Sequence, residues 1–378
     1  MTDAYDMTEV TDVLDPAAFA DLLAGYCLGV QPGQQVLVRS TTLAAPLLVE
    51  LQRAILDRDA WAFLRVELPG EARNFYDHAR DRHLDEYPAL AYDEARKIDA
   101  TVGIQAPDDV RALADIDPEL IARSSRGRRD VREQMLKKRW CSTLWPTPAN
   151  AALAGMELGE FARFVQRALL LDRPDPVGGW GELHQFQAAL IDRLEDAREL
   201  RIEADGTDLR LDVSHRTWVN SDGKRNMPSG EVFTGPHEAS ATGRIRYTIP
   251  SAPAGVDVSG VELEFRDGEV MTASAETGEE YLRRALATDD GARRLGEVGI
   301  GTNYGIDRPI GAILFDEKIG GTVHTALGRS YPETGGKNVS ALHWDLICDL
   351  RPGGRLSADG ETIMENGNFR WPFEPTGR

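Results

Sequence analysis

The spacing of apolar positions divides the chain into two parts. Up to about residue 195, apolar residues three and four apart predict helices, which alternate with short apolar runs typical of buried strands. Residues 45–56 are predicted as a helix between strands at 35–39 and 61–66, with a further strand at 100–104. This order is typical of a parallel α/β unit, because parallel strands need a crossover connection.

Beyond residue 195 the apolar positions alternate with a period of two, as in strands with one buried face. The alternating stretches turn at Asp-Gly pairs, which are hairpin signals, at positions 205–206, 267–268 and 359–360. One helix, at residues 278–295, is expected to interrupt the strands. Repeated hairpins of this kind are typical of an antiparallel barrel or sandwich.

We therefore expect a chain of two domains. Residues 1–195 should form an N-terminal α/β domain with a mainly parallel sheet. A helix predicted at 183–198 lies at the end of this domain. Residues 196–378 should form an antiparallel, β-rich, barrel-like domain.

Composition excludes several functional classes. The 378 residues include 43 basic and 62 acidic ones, for a net charge of −19, and such a surface repels nucleic-acid phosphates. No apolar run approaches the roughly 18 residues needed to cross a bilayer, so no membrane partner is expected. Residues 1–15 are acidic and lack the basic and apolar regions of a secretory signal. The expected location is the cytoplasm.

Cysteine usage agrees with a reducing compartment. Cys27, Cys141 and Cys348 are far apart, and an odd number without a CxxC pair argues against a disulfide framework or a thiolate zinc site. We expect three buried free thiols.

The acidic excess, with arginine in place of lysine, leaves two explanations open, adaptation to high salt or a GC-rich genome.

Candidate chemistry concentrates between residues 317 and 345. This stretch holds His324 and His343, two of only seven histidines, and ends in His343-Trp344-Asp345. Residues two apart on a strand point to the same face, so His343 and Asp345 can reach one cation while Trp344 faces the other side. Imidazoles and carboxylates are common ligands for zinc, manganese or cobalt. This segment is predicted to supply half of a metal site.

Two upstream glutamates are candidates for the other half. Glu231 follows the turn at residues 227–230 and opens a short apolar strand, and Glu297 begins the apolar run that continues to Ile300. A buried, unpaired carboxylate is costly, so such a group is neutral, paired or bound to a metal. Either glutamate alone could be a salt-bridged surface residue, and the prediction rests on the whole set.

Several long motifs resemble the thermophilic-type metallo-aminopeptidases, the aminopeptidase T family. They are MPSGEVFTGP, GEVGIGTN, FDEKIGGTVHTALGRSYPETGGKN and ALHWD. The resemblance also covers TLWPTPANAALAGMELGEF, LRPGGRLSADGE and VQPGQQVLVRSTTLAAPLLVEL, so it spans nearly the whole chain. It implies a cytoplasmic homodimeric exopeptidase that acts on short peptides with two divalent metal ions per chain, zinc, cobalt or manganese.

The resemblance also implies the residues of the site. The family's metal ligands fall on Glu231, Glu297, His324, Tyr331, His343 and Asp345, with Glu297 expected to be shared by both metals. Two metals about 3.5–4 Å apart can clamp the attacking water and the scissile carbonyl oxygen. Tyr331 is expected to bind metal or to donate to the oxyanion, and a metal-bound carboxylate, Glu231 or Glu297, is the candidate general base.

The sequence leaves two other functions open. Two histidines and an aspartate could also form the facial triad of a mononuclear iron site. The ring-cleaving dihydroxypyridine dioxygenases look like distant relatives of this chain. A mononuclear iron site of that kind would not need both Glu231 and Glu297. The second alternative is a non-catalytic, metal-stabilised binding protein. Beside the site, Asp316, Glu317 and Lys318 are expected to place the substrate's free amine or to order their loop.

Overall fold

The computed structural model describes residues 7–370, and the first six residues of the acidic N-terminal segment lie outside it. The chain folds into two compact units. The first consists of Met1–Val177 with Gly223–Pro228, and the second of Gly178–Asp222 with Ser229–Arg378.

The first unit contains a parallel sheet of four strands. The strands are β1 Gln35–Thr41, β2 Trp61–Glu67, β3 Ala100–Gln105 and β4 Arg139–Leu144. They are ordered β2-β1-β3-β4, and every neighbouring pair is parallel. The predicted strand–helix–strand unit is confirmed, because the helix Ala45–Leu56 connects β1 to β2.

Helices account for most of the remaining elements of this unit. In chain order they are α1 Thr8–Thr11, α2 Pro16–Asp21, α3 Ala45–Leu56, α4 Glu71–His78, α5 Asp81–Asp85, α6 Ala89–Lys97, α7 Pro118–Gly127, α8 Arg129–Leu136, α9 Pro148–Leu153 and α10 Leu158–Ala168. The Asp15 side chain accepts a hydrogen bond from the Ala17 amide at 2.9 Å and so caps α2. A π-helical stretch, Leu22–Cys27, continues α2.

The helix α11, Pro176–Leu194, begins earlier than the predicted helix at residues 183–198 and also ends earlier. Leu190 and Leu194, near its end, belong to the core of the second unit. Most of this helix therefore belongs to that unit. The boundary at residue 195 stays a prediction.

The second unit holds two antiparallel sheets. Its strands are β5 Glu199–Ala204, β6 Thr207–Asp212, β7 Val219–Ser221, β8 Glu231–Thr234, β9 Thr242–Arg246, β10 Glu262–Arg266, β11 Glu269–Ser274, β12 Leu295–Gly301, β13 Thr322–Gly328, β14 His343–Asp349, β15 Arg355–Ala358, β16 Glu361–Glu365 and β17 Asn368–Phe369. The eight-stranded sheet is ordered β11-β10-β9-β6-β5-β15-β16-β17, and the five-stranded sheet β14-β13-β12-β8-β7. The core draws on the inner faces of both sheets.

The predicted fold class is confirmed, with a parallel α/β part followed by antiparallel sheets. All three Asp-Gly hairpins form, as β5–β6, β10–β11 and β15–β16.

The predicted helix at residues 278–295 is wrong in its extent. Helix α12, Glu279–Leu286, is followed by a 3₁₀ turn, Asp290–Arg293, and β12 starts at Leu295. The last helix is α13, Ile313–Asp316.

Among residues 7–370, no helix combines the length and the apolarity that crossing a bilayer requires.

Candidate metal centre

The five-stranded sheet brings the predicted ligands together from four neighbouring strands. Asp345 and His343 lie on β14, His324 on β13, Glu297 on β12 and Glu231 at the start of β8. The register aligns Glu297 with Ala326 and Ala326 with Asp345, so these three residues form one row across the sheet. Side chains that alternate along a strand share a face, and all five candidate ligands therefore point to one side.

The two faces of this sheet have different chemistry. Trp344, Leu346 and Cys348, the residues between and beyond the β14 ligands, point into the hydrophobic core with Val298 and Val323. The opposite face carries the ligands, with Gly299 and Ala326 between them. This division follows from the period of two, because each strand alternates an anchoring apolar residue with a residue that faces the site.

Gly299 makes room for one of the histidines. It pairs with His324 across β12 and β13. A methyl group at position 299 would overlap the His324 imidazole ring. The glycine is therefore required by the close approach of the ring.

The ligand atoms form two groups that have one residue in common. Glu231, Glu297 and His324 make up one group, and Glu297, His343 and Asp345 the other, with the ligand atoms of each group within 4.8 Å of one another. His324 Nε2 lies 3.4 Å from Glu231 Oε2 and 3.3 Å from Glu297 Oε1. His343 Nε2 lies 3.6 Å from Glu297 Oε2 and 3.6 Å from Asp345 Oδ2. Glu297 therefore presents one oxygen to each group.

The tautomer of His343 suits a metal ligand. Its Nδ1 lies 2.8 Å from the carbonyl oxygen of Arg329. A carbonyl only accepts, so Nδ1 carries the proton and donates it. Nε2, which faces Glu297 and Asp345, is left with a free lone pair.

The buried carboxylates of the site would be stabilised by a bound cation. Glu231 and Glu297 are buried, and Oε2 of each lacks a hydrogen-bond donor among the described residues. Burial raises the pKa of Glu231 to about 7 and also raises the pKa of Glu297. Three carboxylates and two imidazoles in one place form an oxygen- and nitrogen-rich set that a divalent metal would satisfy.

The same surroundings also raise the pKa of His324, which favours its charged form. Its burial disfavours the imidazolium, but the hydrogen bond with Glu297 and the charge of Glu231 outweigh this effect and raise its pKa to about 10. In the metal-free chain the imidazole thus holds a proton between the carboxylates. A metal ion would replace this proton, because a ligating imidazole must be neutral.

Tyr331 lies at the rim of the ligand set. Its ring centroid is 5.1 Å from that of His343, in an edge-to-face contact, and 5.8 Å from that of Phe233. Burial and the charges of Glu297 and Asp345 raise the pKa of the phenol. Tyr331 therefore stays protonated and able to donate a hydrogen bond at neutral pH.

The Asp316–Lys318 segment contributes two different contacts. Asp316 accepts hydrogen bonds from the amides of Ile310 and Gly311, at 2.8 and 2.9 Å, and so orders its own loop. Lys318 is fully buried, donates to Glu317 and lies 3.7 Å from Glu231 Oε1. The charge sequence Asp-Glu-Lys pointed to this segment, but the burial of the lysine could not be read from it.

Gln187 is a supporting residue that the sequence pattern did not reveal. From α11, its side-chain amide donates to the carbonyl oxygens of Glu231 and Ser221, at 2.8 and 3.2 Å, and to Thr302 Oγ1 at 3.0 Å. It thereby holds the backbone from which the Glu231 side chain extends. A glutamine within a helix carries no signal of such contacts in the sequence.

Comparisons with known proteins agree across the chain. Residues 16–369 match the family described as thermophilic metalloprotease (M29). The chain is 31% identical to aminopeptidase 2 of Geobacillus stearothermophilus, over 94% of this chain and 97% of that protein. It is 27% identical to aminopeptidase T of Thermus aquaticus, over 95% of this chain and 97% of that one.

Solved structures show a similar fold. The structure of wild-type AmpT from Thermus thermophilus matches with a TM-score of 0.82 at 24% identity, over 94% of this chain and 99% of that one. A 2,5-dihydroxypyridine dioxygenase from Pseudomonas putida KT2440 matches with a TM-score of 0.57 at 16% identity, over 95% of this chain and 98% of that one.

Proposed function

The chain belongs to the thermophilic metalloprotease family (M29), and from this premise we propose that it removes N-terminal residues from short peptides at a two-metal centre. It is a metal-dependent hydrolase of the aminopeptidase class, as its sequence motifs predicted. The two-metal proposal rests on the position of Glu297, because this residue belongs to both ligand groups and offers one oxygen to each.

Each side chain has a role in this proposal. Glu231 and His324 would hold one cation, His343 and Asp345 the other, and Glu297 would bridge them. When bound, two such cations polarise the scissile carbonyl group and lower the pKa of water toward about 7. Zinc, cobalt and manganese all accept this mixture of oxygen and nitrogen ligands.

Tyr331 and Glu231 are the residues to which we assign catalytic roles. The protonated phenol of Tyr331 would donate to the oxyanion that develops when the amide carbon becomes tetrahedral. Glu231 would accept a proton as the general base, because it lies at the site as an ionised carboxylate once metal is bound. Tyr331 as a further metal ligand is the competing assignment.

An aminopeptidase substrate presents a free amine, and the aminopeptidase relatives support this substrate class for the chain. The carboxyl groups of Glu231, Glu297, Asp345 and Glu317 lie at the site beside Lys318. Two divalent cations carry four positive charges, which would offset these four groups when they are ionised. We propose short peptides as substrates.

The test is turnover by protein stripped of metal and then reloaded. Addition of zinc, cobalt or manganese should restore release of the N-terminal residue from di- and tripeptides, and an N-acetylated tripeptide should not be cleaved. Elemental analysis should find two metal ions per chain. Absence of turnover with every metal, at both low and high salt, would remove the proposal.

The alternative of a mononuclear iron dioxygenase is less well supported. The likeness to the dihydroxypyridine dioxygenase concerns the fold, whereas the family match is to metalloproteases. One iron could occupy only one of the two ligand groups and would leave the other group without a cation. The non-catalytic alternative is also disfavoured, because the aminopeptidase relatives match over nearly the whole chain.

We further propose a cytoplasmic homodimer of two-domain subunits, with an α/β domain at 1–195 and the metal-binding domain at 196–378. Cys27, Cys141 and Cys348 are buried free thiols, which fits a reducing compartment. Strand β2 supports self-association. It is the edge strand of the parallel sheet, and its apolar residues Trp61 and Phe63 are exposed.

A further inference from the structure

A cavity of about 310 Å³ adjoins the candidate metal centre. Two of the candidate ligands, His343 and Asp345, form part of its wall, and Ile347 continues this wall along β14. The volume lies at the lower end of the range for ligand sites, which begins at about 300 Å³. The cavity is therefore large enough for one amino-acid side chain and is continuous with the metal-binding groups.

The segment 248–253 forms one side of the cavity and is attached to β14. The backbone amides of Thr248 and Ile249 lie 3.1 and 3.3 Å from the Ile347 carbonyl oxygen. Thr248 Oγ1 accepts a hydrogen bond from the Asp349 amide at 2.9 Å. These bonds hold Ile249 against the β14 wall, so this side of the cavity is formed before any ligand arrives.

The loop 310–316 also lines the cavity. Both carboxylate oxygens of Asp316 accept hydrogen bonds from backbone amides of this loop, those of Ile310 and Gly311. Both oxygens are therefore already hydrogen-bonded within the loop. Ile313, from the same loop, adds an apolar group to the lining.

Most of the lining away from the metal ligands is apolar. Ile249, Pro250, Pro253, Ile313 and Ile347 all contribute to it. A charged side chain would lose hydration among these five residues, whose side chains offer it no hydrogen bond, whereas an apolar side chain would be removed from water.

We propose that this cavity receives the side chain of the substrate's N-terminal residue and selects large aliphatic or aromatic side chains over charged ones. The inference rests on the proposed function. In an aminopeptidase the scissile carbonyl carbon is bonded to the α-carbon that carries this side chain. The side chain must therefore leave the metal centre within two bonds of the reacting carbon, and the cavity begins at His343 and Asp345.

Ile313 is the specificity-determining residue in this proposal. Its side chain is 45% exposed, whereas Ile249 and Ile347 are only 6% and 3% exposed. Substitution of Ile313 can therefore change the chemistry of the cavity wall without opening the core. The residue is separate from the candidate metal ligands, so its effect should fall on side-chain preference.

The experiment compares kcat/KM for leucyl, alanyl, lysyl and glutamyl p-nitroanilides with the metal-loaded protein. The leucyl substrate should exceed the alanyl one by about tenfold or more, as expected when apolar groups enter an apolar pocket. Ile313→Asp should lower the leucyl value by about tenfold and raise the lysyl value, with the alanyl value within about twofold. Calorimetric binding of free L-leucine and L-alanine should show the same change of preference.

Two further variants separate the proposal from general damage. Ala252→Phe, in the 248–253 segment, should fill the cavity and lower leucyl turnover while sparing alanyl turnover. Val339→Asp is the matched control, because Val339 is an 84% exposed apolar residue that does not line the cavity, and it should leave every ratio unchanged.

The outcomes distinguish this inference from the proposed function. Hydrolysis of all four substrates with equal kcat/KM, or ratios that Ile313→Asp and Ala252→Phe leave unchanged, would overturn the cavity assignment and leave the aminopeptidase intact. No hydrolysis of any substrate with any metal would overturn both.

Discussion

Gly299 shows how a residue without a side chain determines the position of a ligand. The His324 ring occupies the space that a β-carbon at position 299 would need. Gly299→Ala should displace the imidazole and weaken metal binding by about 10- to 100-fold, the range seen when groups that orient a ligand are altered. Metal affinity by competition with a chromophoric chelator measures this.

The matched control is Gly181→Ala. Gly181 lies in α11, and a β-carbon there would meet nothing within 4 Å. This variant should keep its metal affinity and be slightly stabilised, because alanine favours a helix over glycine by about 0.5–1 kcal/mol. Equal metal affinities of the two alanine variants would contradict the steric argument.

Substitution of Tyr331 can distinguish two roles of its hydroxyl group, oxyanion stabilisation and metal binding. Tyr331→Phe removes only the hydroxyl group, so kcat should fall by about 10²–10³, which corresponds to roughly 2.7–4 kcal/mol. The metal content should stay at the value of the unmodified protein. A loss of metal together with activity would instead identify Tyr331 as a ligand, and Tyr281→Phe, at a half-buried ring that packs on Trp344, serves as the control.

The protons held by the ligands predict how metal binding depends on pH. Glu231, with a pKa raised to about 7, and His324, with one raised to about 10, are both partly or fully protonated at neutral pH in the metal-free chain. A metal needs the ionised carboxylate and the neutral imidazole, so its affinity should rise with pH. Between pH 6 and 8 the apparent Kd for Zn²⁺ should fall by up to about tenfold per pH unit for each proton displaced.

Proton release checks the same prediction independently. Titrations in buffers of different ionisation enthalpy should show about one to two protons released per chain at pH 7. An apparent Kd that does not change from pH 6 to 8 would show that the ligands are already in their binding state.

At the scale of elements, hairpins were easier to predict than helix ends. An Asp-Gly turn depends on two neighbouring residues and their backbone preferences, and all three predicted hairpins formed. The helix predicted to reach residue 295 ends at Leu286. Asp289 caps the following 3₁₀ turn through the Ala292 amide, and it also accepts from Ser340 and Ala341. The last two partners are about fifty residues away and leave no local signal.

The link between α11 and β8 depends on one buried side chain. Gln187→Met would keep the approximate volume but remove the donor from the Glu231 carbonyl oxygen and from Thr302 Oγ1. The Ser221 carbonyl oxygen would keep its bonds from the Gly230 amide and Ser229 Oγ. Unsatisfied buried acceptors cost about 1–3 kcal/mol each, and with partial relaxation we expect a total loss of about 2–4 kcal/mol in unfolding free energy. Urea unfolding followed by circular dichroism measures it.

The exposed residue Gln52 provides the comparison. Gln52→Met should change the unfolding free energy by no more than about 0.5 kcal/mol. A Gln187→Met variant as stable as Gln52→Met would show that the amide contacts do not support the Glu231 strand.

At the scale of the whole molecule, the exposed edge strand β2 predicts self-association. Trp61, Phe63, Leu64 and Val66 are exposed, although they lie on a regular strand. If a second copy covers this strand, Phe63→Lys should convert the dimer to monomer by placing a charge in the interface. Light scattering after size-exclusion chromatography measures the mass.

Leu136→Lys is the comparison for this variant. Leu136 is also an exposed apolar residue of the first unit, but it lies on α8 and not on the sheet edge. This variant should keep the mass of the unmodified protein. A monomeric unmodified protein, or a dimer unaffected by Phe63→Lys, would show that β2 is not the dimer interface.

The sequence by itself determined the fold class, the hairpins and the family, because periodicity, turn residues and long motifs are local properties of a chain. It also identified the residues that meet at the candidate metal centre, through motifs and not through geometry. Tertiary structure decided that Glu297 faces both ligand groups, that Gly299 makes room for His324, and that Gln187 and Lys318 are buried beside Glu231. These features depend on strand register and on contacts between residues far apart in sequence, which no local pattern encodes.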